Sequence, residues 1–239
     1  MKRNLFFILL FVCTSAMAQT EVKPYLTVDQ LPDLIKCLPA PPAFDSPEFA
    51  NDLVRYAWGK QQRTDSARAE MVRRDAVWDY DSLFAQFNGP FGLVISKEET
   101  PEIYKLLITS LVTTDAMRVA PKAYYHRLRP FEFLSDHMLV ETEEQYLRGE
   151  GSYPSGHTHR GFTCALLLAE INPANADTIL ARGWIYGENR VINGAHWQSD
   201  VDASRVSAAI GYGALHTSDD FLKQMNLAKK EFLKKKGRK

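Results

Sequence analysis

The chain has 239 residues, 45% of them apolar and 24% charged, and its 29 basic and 29 acidic side chains cancel to a formal net charge of zero. That length carries one domain with a sizeable core, or at most two small ones. The balanced charge excludes a strong electrostatic bias towards nucleic acid or an anionic membrane.

The first element in chain order is a leader. Lys2 and Arg3 precede an apolar run over residues 5–12, and Ala16-Met17-Ala18 forms an A-x-A cleavage pattern. This reads as a secretory signal peptide over residues 1–18. The run is too short to span a bilayer, and bulky Val12 argues against a lipoprotein signal ending at Cys13. Loss of the leader removes Lys2 and Arg3 and no acidic residue, leaving 27 of the 29 basic side chains against all 29 acidic ones. No later stretch has 18 consecutive apolar residues, so the mature chain is expected to be soluble, without a membrane span, and periplasmic or extracellular. Cys37 and Cys164 then remain, as one disulfide or as two separate thiols with Cys164 buried on a helix.

Residues 19–45 hold five prolines (Pro24, Pro32, Pro39, Pro41 and Pro42) and no clear period; they read as an extended arm lying on the body. From residue 46 to 239 the pattern is helical. Ser46-Pro47-Glu48 has the form of an N-cap followed by a first-turn proline, and Leu53, Tyr56, Ala57 and Lys60 follow at helical spacing. Further helices are predicted over about 65–79 and 81–87, with a loop at Gly89-Pro90-Phe91-Gly92. Thr100-Pro101-Glu102 starts the next helix, with an apolar stripe of Ile103, Leu106, Leu107, Leu111 and Val112. It is predicted to continue, kinked at Pro121, as far as Arg129, where Pro130 stops it. Residues 131–153 read mostly as loop. Helices follow over about 155–170, 175–192, 197–215 and 218–235, the last ending in a basic tail that reads as a solvated helix end. The fold class is all-α, a compact single-domain helical bundle with an extended proline-rich N-terminal arm.

Three segments concentrate cations, histidine and glycine at helix ends. In the first, Lys122 and Arg129 are seven apart, which on one helix puts a point charge and a planar fork on the same face, suited to a phosphate. The plain alternative is a solvated basic face shared with Arg127. In the second, Gly151-Ser-Tyr-Pro-Ser-Gly-His-Thr158, Ser155 and Gly156 stand at a helix N-terminus, where amides and dipole favour an anion, with His157 beside it; the alternative is an ordinary cap with a surface histidine. His159 faces elsewhere and reads as structural. In the third, His196 and Asp200 are four apart, so the carboxylate can fix the imidazole tautomer and leave the other nitrogen free as a nucleophile. Arg190 adds a third cation. Here the alternative is a buried pair closing a core helix. Together the three supply what phosphoryl transfer to an enzyme nucleophile needs: cations for the equatorial oxygens, one histidine in line, and one to protonate the leaving oxygen.

The pattern K-x6-RP, then PSGH, then R-x5-H-x3-D is similar to the signature of the superfamily joining type 2 phosphatidic acid phosphatases and vanadium haloperoxidases. The strings GSYPSGHT and Gly194-Ala-His-Trp-Gln-Ser-Asp-Val-Asp202 resemble bacterial class A nonspecific acid phosphatases, and the resemblance runs from about Pro39 to about residue 216. It implies His196 as nucleophile, Asp200 as its orienting group, His157 as general acid and then base, and Lys122, Arg129, Ser155, Gly156 and Arg190 as holders of the phosphoryl oxygens. It further implies a metal-independent, cofactor-free acid phosphatase acting on small phosphate monoesters of broad specificity, and a homo-oligomer. Asn189 stands where the superfamily usually has serine; its amide can still donate. No tight His, Cys and carboxylate cluster has metal-ligand spacing, and His126, His137 and His216 read as structural or exposed. The competing functions are a vanadate-dependent haloperoxidase, against which the short chain and the class A string argue, a lipid phosphatase, which usually spans the membrane, and a non-catalytic phosphate-binding protein, against which the intact histidines and aspartate argue.

Overall fold

A computed structural model describes residues 22–237; the leader assigned to residues 1–18 lies outside them. The described residues form helices joined by short turns, and strands are absent among them. The longer helices are α1 (Pro47–Gln62), α2 (Ser66–Ala76), α3 (Tyr80–Ala85), α4 (Pro101–Asp115), α5 (Val119–Tyr125), α6 (Gly156–Ile171), α7 (Ala176–Asn193), α8 (Gln198–Leu215) and α9 (Asp219–Lys236). No helix among the described residues is long and apolar enough to cross a membrane.

Helix α6 is the axis of the bundle. Cys164, Ala165, Leu167 and Leu168 are fully buried on it, and each leucine contributes roughly 2 kcal/mol by leaving water. α4, α7, α8 and α9 pack around it. The α6–α7 crossing depends on missing side chains. A Cβ at Gly183 would fall 2.5 Å from Cβ of Ala165, and one at Gly187 2.7 Å from Cγ2 of Thr158. The helices therefore approach at backbone distance along the stretch that carries the second and third motifs.

Local chemistry explains most starts. Asp65 accepts from the amides of Ala67 and Arg68, Asp79 from Ser82, and Ser46 and Ser218 from the third helical amide of α1 and α9. α4 differs. Thr100 turns back to the Val94 carbonyl at 3.1 Å, and the free amides of Glu102 and Ile103 instead donate to Oε2 of Glu231, 3.1 and 3.0 Å away on α9.

Several expectations are corrected. α1 buries Phe49, Asp52, Tyr56 and Gly59, whereas Leu53, Ala57 and Lys60 face outward; the helix is turned so that a carboxylate goes inside. α4 ends at Asp115, and after a 3₁₀ turn α5 starts afresh, with Pro121 in its first turn rather than at a kink. α5 ends at Tyr125 because His126 adopts a left-handed conformation (φ 44°), four residues ahead of Pro130. Lys122 and Arg129 therefore do not share a helix face. Gly89-Pro90-Phe91-Gly92, read as loop, falls in and just after a single helical turn, Asn88–Phe91, that Gly92 ends at φ 83°. Residues 131–153 are irregular apart from single turns at Pro130–Phe133, Glu141–Glu143 and Glu144–Leu147. The arm lies on the body: Leu34 and Leu38 pack with Met117 and Tyr153, and Tyr153 donates to the Pro39 carbonyl at 2.5 Å. Cys37 is exposed and Cys164 buried, both as free thiols, which settles the choice in favour of two separate thiols.

Candidate active site

The three sequence segments converge on one cavity of about 790 Å³, lined among others by Lys122, Arg129, Glu143, Gly156, His157 and His196. Each arrives from a helix end. Lys122 sits in the last turn of α5, Arg129 at the N-cap of the Pro130–Phe133 turn, and His157 in the first turn of α6. Arg190 lies in the last turn of α7, and Gly194, left-handed at φ 81°, turns the chain so that His196 precedes α8.

His196 is 2% exposed. Its Nδ1 faces Oδ2 of Asp200 at 3.4 Å, and its Nε2 stands 3.1 Å from Nη1 of Arg129. A guanidinium only donates, so Nε2 carries the lone pair and Nδ1 the proton. Asp200 is itself fixed: Oδ2 accepts from the Trp197 amide at 2.9 Å and Oδ1 from Arg127 at 2.6 Å. Burial, then Arg129, Lys122 and Arg190, hold the His196 imidazole well below its ordinary value. The ring is thus kept neutral with its lone pair towards the cations.

Arg127, grouped with a solvated face in the sequence reading, is 5% exposed. It bridges Asp200 to Asp52, whose Oδ2 it reaches at 2.8 Å, and Asp52 also accepts from the hydroxyl and amide of Ser199. Neither residue was picked out as part of the site. For Asp52 the signal was its register with Phe49 and Tyr56, at i+3 and i+7; for Arg127 it was its place between two other cations.

His157 is 6% exposed. Its Nε2 donates to the Ala76 carbonyl at 3.0 Å, so any further proton resides on Nδ1. Trp78 lies against the ring, centroids 4.5 Å apart, and the Arg160 guanidinium lies over the indole, 3.4 Å from its centroid. Burial, then Arg190, push this imidazole well down also, with His196 and Arg160 adding to the effect. Ser155 caps α6. Its oxygen accepts from the hydroxyl and amide of Thr158, its own amide donates to the Asp200 carbonyl at 3.3 Å, and its hydroxyl hydrogen is left to donate. Gly156 lines the cavity, and a Cβ there would stand 3.2 Å from Trp78.

The cations repel one another. Lys122 is held well below the usual ammonium value by burial and then by Arg129 and Arg118. Arg129 is lowered to about 10 by burial and then by Arg190. Such a cluster is relieved by an anion, and the arrangement suits an oxyanion with several oxygens. Arg190 is buried but engaged: it forms a fork with Glu143 at 3.1–3.3 Å. Asn189 donates to Asp75 at 2.7 Å, alongside the Arg182–Asp75 pair, and so braces α7 against α2.

Of the remaining histidines, His159 is fully buried, bonded to Ser207 at 2.9 Å and pushed down to about 4 by burial. His216 pairs with Glu170 and exposed His137 with Glu144. Among the described residues, no group of three or more His, Cys, Asp and Glu side chains is arranged to hold a metal ion.

The sequence has recognisable kin. Residues 103–221 match the model of the PAP2 superfamily. A non-specific acid phosphatase of Providencia stuartii is 39% identical over 236 residues, covering 95% of each chain. The non-specific acid phosphatase of Salmonella typhimurium is 35% identical, over 95% of this chain and 90% of its own. An acid phosphatase of Zymomonas mobilis is 34% identical, over 92% and 83%.

Proposed function

The chain belongs to the PAP2 superfamily, and on that premise we propose that it is an acid phosphatase that hydrolyses phosphate monoesters through a covalent phosphohistidine on His196, without a metal ion. One observation carries the reading. The His196 lone pair is fixed on Nε2, Nδ1–H is turned to Asp200, and Arg129 stands 3.1 Å from the nucleophilic nitrogen. A phosphoryl group held by Arg129, Lys122, Arg190, the Gly156 amide and the Ser155 hydroxyl would present its phosphorus to that lone pair.

In the first step Nε2 bonds to phosphorus as the ester P–O bond breaks, and His157 passes a proton to the departing oxygen. In the second, His157 takes a proton from water as that water attacks phosphorus. The P–N bond breaks, the lone pair returns to Nε2, and inorganic phosphate leaves. The cations carry the charge of the equatorial oxygens, the task a metal performs in other phosphatases. The first step needs His157 charged, and its imidazole is pushed below the ordinary 6.5, so activity of the free enzyme falls as pH rises through that lowered value. This favours an acid working range. An arriving dianion offsets the field of Arg190 and raises both imidazoles.

Broad specificity is supported by the rest of the cavity. Beyond the cations, its wall includes Val77, Trp78, Val140, Tyr146 and Leu147, apolar surfaces that accept a leaving group without reading its polar pattern. Residues 1–18 would direct export to the periplasm, where the mature chain would work as a homo-oligomer. The test is p-nitrophenyl phosphate hydrolysis in EDTA, followed by alkaline quenching of enzyme turning over a labelled phosphate ester. Turnover should persist in chelator and label should remain on His196, while His196→Ala should lose about 10⁴-fold or more in kcat. An active His196→Ala protein would refute the nucleophile.

A further inference from the structure

Lys122, Arg129 and Arg190 share a neighbour. The segment from Leu139 to Gly151 supplies an acceptor to each of them. Lys122 Nζ donates to the Gly151 carbonyl at 2.6 Å. Arg129 Nε donates to the carbonyls of Leu147 and Glu150 at 3.2 and 3.1 Å. Arg190 is met by both carboxylate oxygens of Glu143. Glu143 is the charged acceptor among these, and it lines the cavity while Arg190 sits 1% exposed beside it. Asn193 also donates to Glu143, at 2.7 Å, and its own oxygens receive the amides of Leu139 and Val140. The carboxylate is therefore held over Arg190 from two directions.

A carboxylate and a phosphoryl group present the same thing to a guanidinium: two coplanar anionic oxygens accepting parallel N–H bonds. Arg190 cannot serve both with the same donors. We propose that Glu143 is a built-in competitor for the phosphate cradle, a specificity-determining residue that the phosphoryl group must displace from Arg190, releasing the segment 139–151 as it enters. This rests on the reading of the cavity as a phosphate-monoester site. It makes affinity depend on the charge of the ligand. A phosphomonoester dianion brings two charges to replace one, whereas a carboxylate or a phosphodiester monoanion brings no surplus and is turned away.

The cost of the competitor is the fraction of molecules in which Arg190 is free; if that is about one in ten, apparent affinity is lowered about tenfold. The experiment is titration calorimetry of the mature protein and of Glu143→Gln with inorganic phosphate, beside steady-state hydrolysis of p-nitrophenyl phosphate. Glu143→Gln should bind phosphate about tenfold more tightly, with KM lowered by a similar factor and kcat within about threefold. It should also gain affinity for a phosphodiester such as bis-p-nitrophenyl phosphate. Glu143→Asp should stay close to the unmodified protein. A second readout needs no substitution: Arg148, whose side chain is 59% exposed, should be cut by trypsin faster when phosphate is added. Unchanged or weaker phosphate binding by Glu143→Gln, with turnover intact, overturns the competitor alone. Protection of Arg148 by phosphate does the same. Absence of phosphate binding and of turnover in the unmodified protein overturns the phosphatase reading and this inference with it.

Discussion

Two sides of one cavity are built to opposite rules. Behind His196 Asp200, Arg127, Asp52 and Ser199 are linked side chain to side chain, with both charged pairs buried, by residues from α1, the turn after α5, and α8. Across the cavity Lys122, Arg129 and Arg190 are met by carbonyls and one carboxylate from a stretch of single turns in which Tyr146 is 74% exposed. The first side fixes an orientation and has no reason to move. The second offers interim partners to groups whose work is to bind something else. Position is kept where bonds are made and broken, and exchangeability where the ligand comes and goes.

The sharpest way to break that contrast is at Arg127. Arg127→Met leaves Asp52 and Asp200 facing each other without a cation, and removing one partner of a buried ionic group costs about 3–5 kcal/mol. Thermal unfolding should show a large drop in Tm. In whatever fraction folds, kcat should fall far more than KM rises, because Asp200 is no longer held against His196. A variant with native Tm and native kcat would reduce the buried chain to packing.

A smaller effect tests what burial itself does to an imidazole on the rigid side. His159 is pushed from 6.5 down to about 4. Its folded value lies below its unfolded one, so the unfolded chain binds more protons between them. The stability it supports is full above about pH 6.5 and is lost as pH falls towards 4, amounting to roughly 3 kcal/mol. His159→Gln should flatten the fall of urea-unfolding free energy across that window by a corresponding amount. His157 and His196, shifted in the same direction, keep part of the slope in place. The smallest effect is expected on the exposed side: Arg148→Ala removes a salt bridge to Glu144 at 3.5 Å and should move stability by no more than about 0.5 kcal/mol, with kcat unchanged. A larger loss would mean that the segment is as fixed as the wall opposite.

Much of this was legible in the chain before the structure. The helices from residue 155 onward are bounded by Ser155, Gly194 and Ser218, whose capping chemistry is local, and they fall within a residue or two of where the periodicity puts them. Lys122, Arg129, Gly156, His157 and His196 do surround one cavity, with Arg190 buried beside its wall on Glu143. Ser155 and Asp200 sit immediately behind it, as cap and as imidazole partner. What the sequence hid was long-range. The face of α1 was misjudged because Asp52 is charged, and its burial rests on distant partners, Arg127 and Ser199. The continuous helix expected as far as Arg129 is interrupted by the 3₁₀ turn at Ala116–Arg118 and ended by the left-handed backbone of His126, which no glycine announces. Arg190 read as a free cation because its partner, Glu143, stands in a stretch with no period and several other acidic residues.

The carboxylate of Glu231 on the amides of Glu102 and Ile103 ties the fate of the front of the core to the very end of the chain. A truncation that removed the last turns of α9 would strip the start of α4 of the acceptor it lacks locally, and α4 leads directly through a 3₁₀ turn to the helix bearing Lys122. Shortening α9 would therefore be felt in the cationic pocket.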